Sequence, residues 1–133
     1  MRPLLFAIAL LFGLTGPLSA QNAEIESTIS GQFDAFRSND FDRAFTYASP
    51  TIKGIFGNSE NFGAMVSNGY PMVRNPAEVR YLELREVAGG LWQRVEVTGG
   101  DGSVHILDYQ MVQTEDGWKI NAVQLLDRPD VAV

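Results

Sequence analysis

The chain reads as an α+β domain, with N-terminal helices packed on a curved antiparallel four-stranded meander, and three observations predict it. Apolar residues recur at spacings of three and four through the first half, which is the period of one helix face. From Glu78 the texture changes to β-branched and aromatic runs separated by "AGG", "GGDG" and "EDG", the punctuation of hairpin turns. No Ser/Pro-rich linker or repeat divides the sequence, so helices and sheet belong to a single domain, 21–133, with the helices covering one face of the sheet.

The opening "MRPLLFAIALLFGLTGPLSA" places Arg2 ahead of an apolar run, Leu4 to Leu14, and then a small-residue region ending at Ala20. That is the three-part pattern of a secretory signal peptide, 1–20, so the protein is expected to be exported to the periplasm or medium, beginning at Gln21. The run is shorter than the roughly 20 residues a permanent span needs, so no membrane anchor is expected. With no cysteine in the chain, neither a lipid-bearing cysteine nor a disulfide is available, and folding rests on the apolar core. The formal net charge is -6, and loss of Arg2 makes it one unit more negative. Such a surface repels phosphates and anionic lipids, which argues against nucleic acid as a partner.

Ile25, Ile29, Phe33 and Phe36 lie along one face of a first helix expected to begin near Asn22. Asp40 is placed to cap a second, with Phe41, Ala44, Phe45 and Ala48 inward, and Ser49-Pro50 gives an N-cap followed by a first-turn proline. A third helix, Thr51 to Phe56, ends at Gly57. Ser59 is expected to cap a fourth, with Phe62, Met65 and Val66 inward, Gly69 as its left-handed terminator and Pro71 barring continuation.

Four strands follow, Val79 to Val87, Leu91 to Thr98, Val104 to Gln113 and Trp118 to Leu126. The third carries the chain's only histidine in "HILDYQM", three residues before Asp108 and four before Tyr109. Alternation turns His105 and Asp108 to opposite faces, and four residues separate His105 from Tyr109 by roughly 13 Å, so no acid–base pair forms. If Asp116-Gly117 is a two-residue turn, Met111 faces Ala122, Tyr109 faces Gln124 and Leu107 faces Leu126, with Trp118 and Ile120 on the same side. His105, Tyr109 and Gln124 are then the polar exceptions on an apolar face. With Tyr47, Tyr70 and Trp118 they are the candidate pocket-lining residues. The opposite face mixes Val104, Ile106, Val112, Val123 and Leu125 with polar residues, and a weak homodimer through the sheet is expected there.

Through "YASP", "GYPMV", "HILDYQM" and "DGWKINAVQLL", over nearly the whole of 21–133, the chain is similar to a proteobacterial secreted family known as a domain of unknown function. That family resembles the nuclear transport factor two-like (SnoaL-like, cystatin-like) cone fold, which implies helices in the hollow of a curved sheet and a pocket between them. The fold hosts isomerases, cyclases and dehydratases beside binding modules, so it selects no activity, and the resemblance brings no catalytic residues.

One histidine and no cysteine leave no metal-ligand spacing, and no cofactor motif occurs. "NDFD" lacks the glycine and glutamate of a calcium loop and reads as a helix cap, and "GGDG" reads as a turn. Two functions follow. The preferred one is a non-enzymatic exported module that binds a small apolar or amphipathic ligand or a protein. The alternative is a small lyase or isomerase with His105 or Asp108, whichever faces the cavity, as general base and Tyr47, Tyr70 or Tyr109 polarising a carbonyl.

Overall fold

In the computed structural model the described residues are 3–126, with side chains described from Ala20 onward. Five helices precede four strands: α1 (Pro3–Arg37), α2 (Phe41–Thr46), α3 (Pro50–Phe56), α4 (Ser59–Gly69), α5 (Pro71–Arg74), β1 (Pro76–Val87), β2 (Gly90–Gly99), β3 (Val104–Thr114) and β4 (Gly117–Leu126). The strands form one antiparallel sheet in the order β1-β2-β3-β4, and the architecture is α+β.

The core lies between α1 and the sheet. Ile25, Ile29, Phe33 and Phe36 are buried, as the helical spacing predicts, against Val95, Val97, Leu107 and Met111. The helix itself begins at Pro3 rather than near Asn22. The export signal read in residues 1–20 falls almost wholly on side chains outside the described ones. Gly31 is where α1 admits a neighbour closely: a Cβ there would stand 2.5 Å from the Tyr47 ring.

The helix caps follow local chemistry. Asp40 accepts from Arg43 N, and Ser49 accepts from Ile52 N, each satisfying a first-turn amide. At α4 the cap is Asn58, which accepts from Asn61 N, and Ser59 is the first helical residue, its hydroxyl donating instead to Asp42. Asn58 competes well because its short side-chain carbonyl reaches the third amide beyond it. Gly69 stays within the helix, Tyr70 is the terminal cap with φ -135, and Pro71 opens α5 instead of ending structure.

Three one-residue irregularities interrupt the pairing, one at the start of β1 between Pro76 and Glu78, and the other two set the sheet's faces. In β1 the register shifts between Tyr81 and Leu84, so both of these face the helices, opposite Val95 and Gln93, while Arg85 turns to the outer face. The buried Gln93 amide donates to the Leu82 carbonyl at 3.0 Å and to its neighbour Arg94 O at 2.9 Å, satisfying backbone that the bulge leaves over. In β4 the shift lies at Asn121: Met111 pairs with Ile120, but Gln110 pairs with Ala122.

The β4 bulge corrects the hairpin expected from the sequence. The turn residues are Glu115 and Asp116, closing between Thr114 and Gly117, and Gly117 takes φ 105. Tyr109 therefore pairs with Val123 and Leu107 with Leu125, rather than with Gln124 and Leu126. Gln124 pairs with Asp108 on the outer face and is exposed. Val123 and Leu125, expected on the outer face, fall on the helix side.

The β4 edge is partly covered. Ile120 N–H donates to Tyr47 O and Ile120 O accepts from Ser49 N, both at 2.9 Å, a parallel bridge between the α2–α3 connection and the sheet. Beyond the bulge the cover changes from backbone to a side chain, with Tyr70 OH donating to Val123 O at 3.1 Å. Pairing of the backbone edge thus stops where a space begins.

Candidate functional site

A cleft of ≈ 280 Å³ lies between α3, α4, α5 and the β3–β4 margin of the sheet. Its helical wall is Ile52 and Phe56 of α3, Phe62, Met65 and Val66 of α4, then Tyr70 and Val73. Its sheet wall is Tyr109 with Ile120 to Val123, and Gln32 of α1 reaches it from behind. Phe62 organises the helical wall, packing against Phe36, Phe45 and Phe56 with ring centroids 6.1, 5.3 and 5.8 Å away. Offset and edgewise ring contacts of this kind hold a wall rigid without filling the space beside it.

Polar groups in the lining are few, and most are already engaged. Gln32 is 5% exposed and donates through Nε2 to Ala44 O at 3.1 Å. Asn121 is held on both sides, accepting from Ser49 Oγ at 2.8 Å and donating to Gln110 Oε1 at 3.0 Å. Tyr70 donates to Val123 O. Tyr109 is the exception, since its side chain is fully buried and its hydroxyl has no hydrogen-bond partner among the described residues. Burial pushes its pKa well above the usual tyrosine range, with lesser contributions from Tyr81 and Tyr70. It is therefore a neutral O–H at any pH the fold survives.

Of the six pocket candidates read from the sequence, the structure brings two to the cleft, Tyr70 and Tyr109. Tyr47 turns its ring onto Gly31 instead, since only a glycine leaves room for it there. Trp118 does lie on the helix side of β4, but near the hairpin end, where its carbonyl accepts from Thr28 Oγ1 at 3.1 Å. Gln124 is on the wrong face because of the Asn121 bulge. His105 is half-buried beside Val97 at the opposite end of β3 and does not line the cleft. Its close electrostatic neighbour is Asp101, whose carboxyl is held below its ordinary range chiefly by the Ser103 backbone amide, with His105 a small contributor.

Asp108, the other candidate base, faces away from the cleft. It is 5% exposed and clamped by Arg85 through two bonds, Nη1 to Oδ1 at 3.0 Å and Nη2 to Oδ2 at 2.7 Å, with Arg94 Nη2 at 3.6 Å. Arg94 also reaches Glu83 at 3.2 Å. A bidentate clamp of this kind holds the carboxylate in place on the outer face, away from the cleft.

Gln32 and Asn121 are polar lining residues that sequence reasoning missed. For Gln32 there was a signal, because it stands three residues after Ile29 and directly before Phe33, inside the buried stripe of α1. A glutamine there has to satisfy its amide internally.

No group of His, Asp or Glu suited to a metal ion occurs among the described residues, and none of the described helices is long and apolar enough to cross a membrane. Residues 18–133 match a family described as a domain of unknown function (DUF4864), and the chain belongs to that family. No curated protein and no solved structure matches it.

Proposed function

Starting from that membership and the cleft, we propose that the protein is an exported module that holds a small, mainly apolar molecule between α4 and β4. The carrying observation is a ≈ 280 Å³ cleft lined chiefly by apolar and aromatic side chains. Such space is unfavourable in a protein with nothing to bind. The tripartite segment 1–20 supports export. The helices-then-meander order is also what a nuclear transport factor two-like arrangement implies, and pockets in that arrangement lie between helices and sheet.

The lyase or isomerase reading has less support. Its candidate bases sit elsewhere, His105 at the far end of β3 and Asp108 in its arginine clamp. None of the described residues lining the cleft is a histidine, carboxylate, lysine or cysteine, so proton abstraction has no agent among them.

Binding is tested by titrating methyl-labelled protein with butylbenzene and following the methionine methyl signals. Met65, on the cleft wall, should shift in a saturable way, and Val123→Phe, which fills the space beside Tyr109, should abolish the shift. Shifts spread over all methionines, or persisting in Val123→Phe, would contradict a ligand site here.

A further inference from the structure

The helices around the cleft are not held equally, and the least anchored of them forms part of its wall. Resting on the binding reading above, we infer that α3 is the gate of the cleft: its last turn, carrying Phe56, opens away from Phe62 about the fixed Ser49 end to admit a molecule, and closes on it.

Three observations converge. The first is burial. α1, α2, α4 and α5 each anchor buried side chains, but α3 has none. Ile52 and Phe56 are half-buried against the cleft, and Ile55 is 67% exposed, so opening uncovers little apolar surface that water does not already reach. A segment with few buried apolar contacts is the kind that opens locally while the rest of a domain stays folded.

The second is the helix itself. Its seven residues are too few to hold a helix in water without packing. Gly54 lies inside it, where a Cβ would meet nothing within 4 Å, so the glycine serves no close approach and lowers the helix's own stability. Gly57 then ends the helix at φ 82, also in open space, and gives the chain a joint at the Phe56 end.

The third is an asymmetry between the two ends. Ser49 is tied to the sheet: its N–H donates to Ile120 O at 2.9 Å, and its hydroxyl donates to Asn121 Oδ1 at 2.8 Å while accepting from Ile52 N at 3.2 Å. At the other end, among the described residues, Phe56 O has one hydrogen bond from outside the helix, donated by Asn61 Nδ2 at 3.0 Å on the exposed surface. The edgewise contact of the Phe56 and Phe62 rings completes the closure. The helix is a flap with one fixed end and one lightly latched end, and the latched end carries the ring that lines the cleft. A molecule lying against Phe56 adds contacts made only in the closed position, so binding draws the gate shut.

The test uses butylbenzene and two variants that act on the gate in opposite directions. Gly54→Ala stiffens α3 without touching another residue and should make opening about three- to fivefold rarer, the worth of alanine over glycine inside a helix. Entry and exit then share a rarer opening, so association and dissociation rates, read from exchange of the Met65 methyl signal, should both fall by that factor, with Kd within about twofold. Asn61→Ala removes the latch on the Phe56 carbonyl and should raise both rates about two- to threefold. Hydrogen exchange of the ligand-free protein reads the opening itself. The closing amides of α3 and α4, Gly57 and Tyr70, make bonds of 2.8 Å to Lys53 O and Val66 O. Gly57 should nevertheless exchange at least about tenfold faster after correction for intrinsic rates, and Gly54→Ala should slow Gly57 and leave Tyr70 unchanged. Butylbenzene rates unchanged in both variants, or Gly57 protected as well as Tyr70, would overturn the gate and leave the binding site standing. A Met65 signal that does not move with butylbenzene in the wild type would instead remove the binding reading, and the gate with it.

Discussion

Asp108 and Tyr109 are consecutive residues of one strand, both buried, and the two sides of the sheet treat their polar groups in opposite ways. Asp108 is answered on its own face by Arg85 and Arg94. The Tyr109 hydroxyl, on the helix side, is answered by nothing among the described residues. The outer network is not complete either, since Arg94 Nε is buried there without a partner. Yet its charges are matched, and Asp108 reads as a residue that holds β1, β2 and β3 together. Loss of Asp108 should therefore cost stability, and loss of the Tyr109 hydroxyl should not. A strand can place a paired anion and an unpartnered hydroxyl side by side because alternation sends them to different environments.

The largest expected effect tests the structural half. Asp108→Ala strips the partner from two arginines that are each only partly exposed, and should destabilise the fold by about 3 kcal/mol, the low end for a broken buried pair because both guanidinium groups can turn toward water. Urea denaturation measures this. A loss under about 1 kcal/mol would mean that the arginine clamp contributes no more than a surface ion pair.

A second effect appears at alkaline pH. Tyr109 and Tyr81 both have pKa values raised chiefly by burial, so each resists ionisation more when folded than when unfolded. Stability is thus complete below the unfolded tyrosine pKa of about 10 and is lost as pH rises above it, by about 1.4 kcal/mol per pH unit from Tyr109 and less from the more exposed Tyr81. Stability curves between neutral and strongly alkaline pH should be steeper for wild type than for Tyr109→Phe. Equal slopes would remove Tyr109 from the buried set.

The smallest effect belongs to His105. It is half-buried and makes no contact with the cleft, so His105→Gln should shift stability by about 1 kcal/mol or less and leave butylbenzene affinity unchanged. A tenfold loss of affinity in that variant would extend the site along the whole of β3.

The sequence carries some of this contrast and hides the rest. The α1 stripe, the Asp40 and Ser49 caps and the four strands are legible because each follows from a local spacing or a single cap residue. Tyr109 is legible as a polar exception on an apolar face. Its partner across the hairpin is not, because the Asn121 bulge adds one residue to β4 without a glycine or other local mark, and that one residue moves Gln124 out and Val123 in. Asp108 hides for the same reason: Arg85 reaches the outer face only through the irregularity between Tyr81 and Leu84. Tyr47 misleads because its destination is set by Gly31 on a different helix.

The most direct test of the claim that the Tyr109 hydroxyl is buried without a partner is the thermal and urea unfolding of ligand-free Tyr109→Phe. Removing a buried hydroxyl with no partner takes away only its desolvation penalty, so the variant should be more stable than wild type by about 1 kcal/mol. A variant less stable by about 1 kcal/mol or more would show that the hydroxyl is satisfied inside the folded protein, and the contrast drawn between the two faces of β3 would be contradicted.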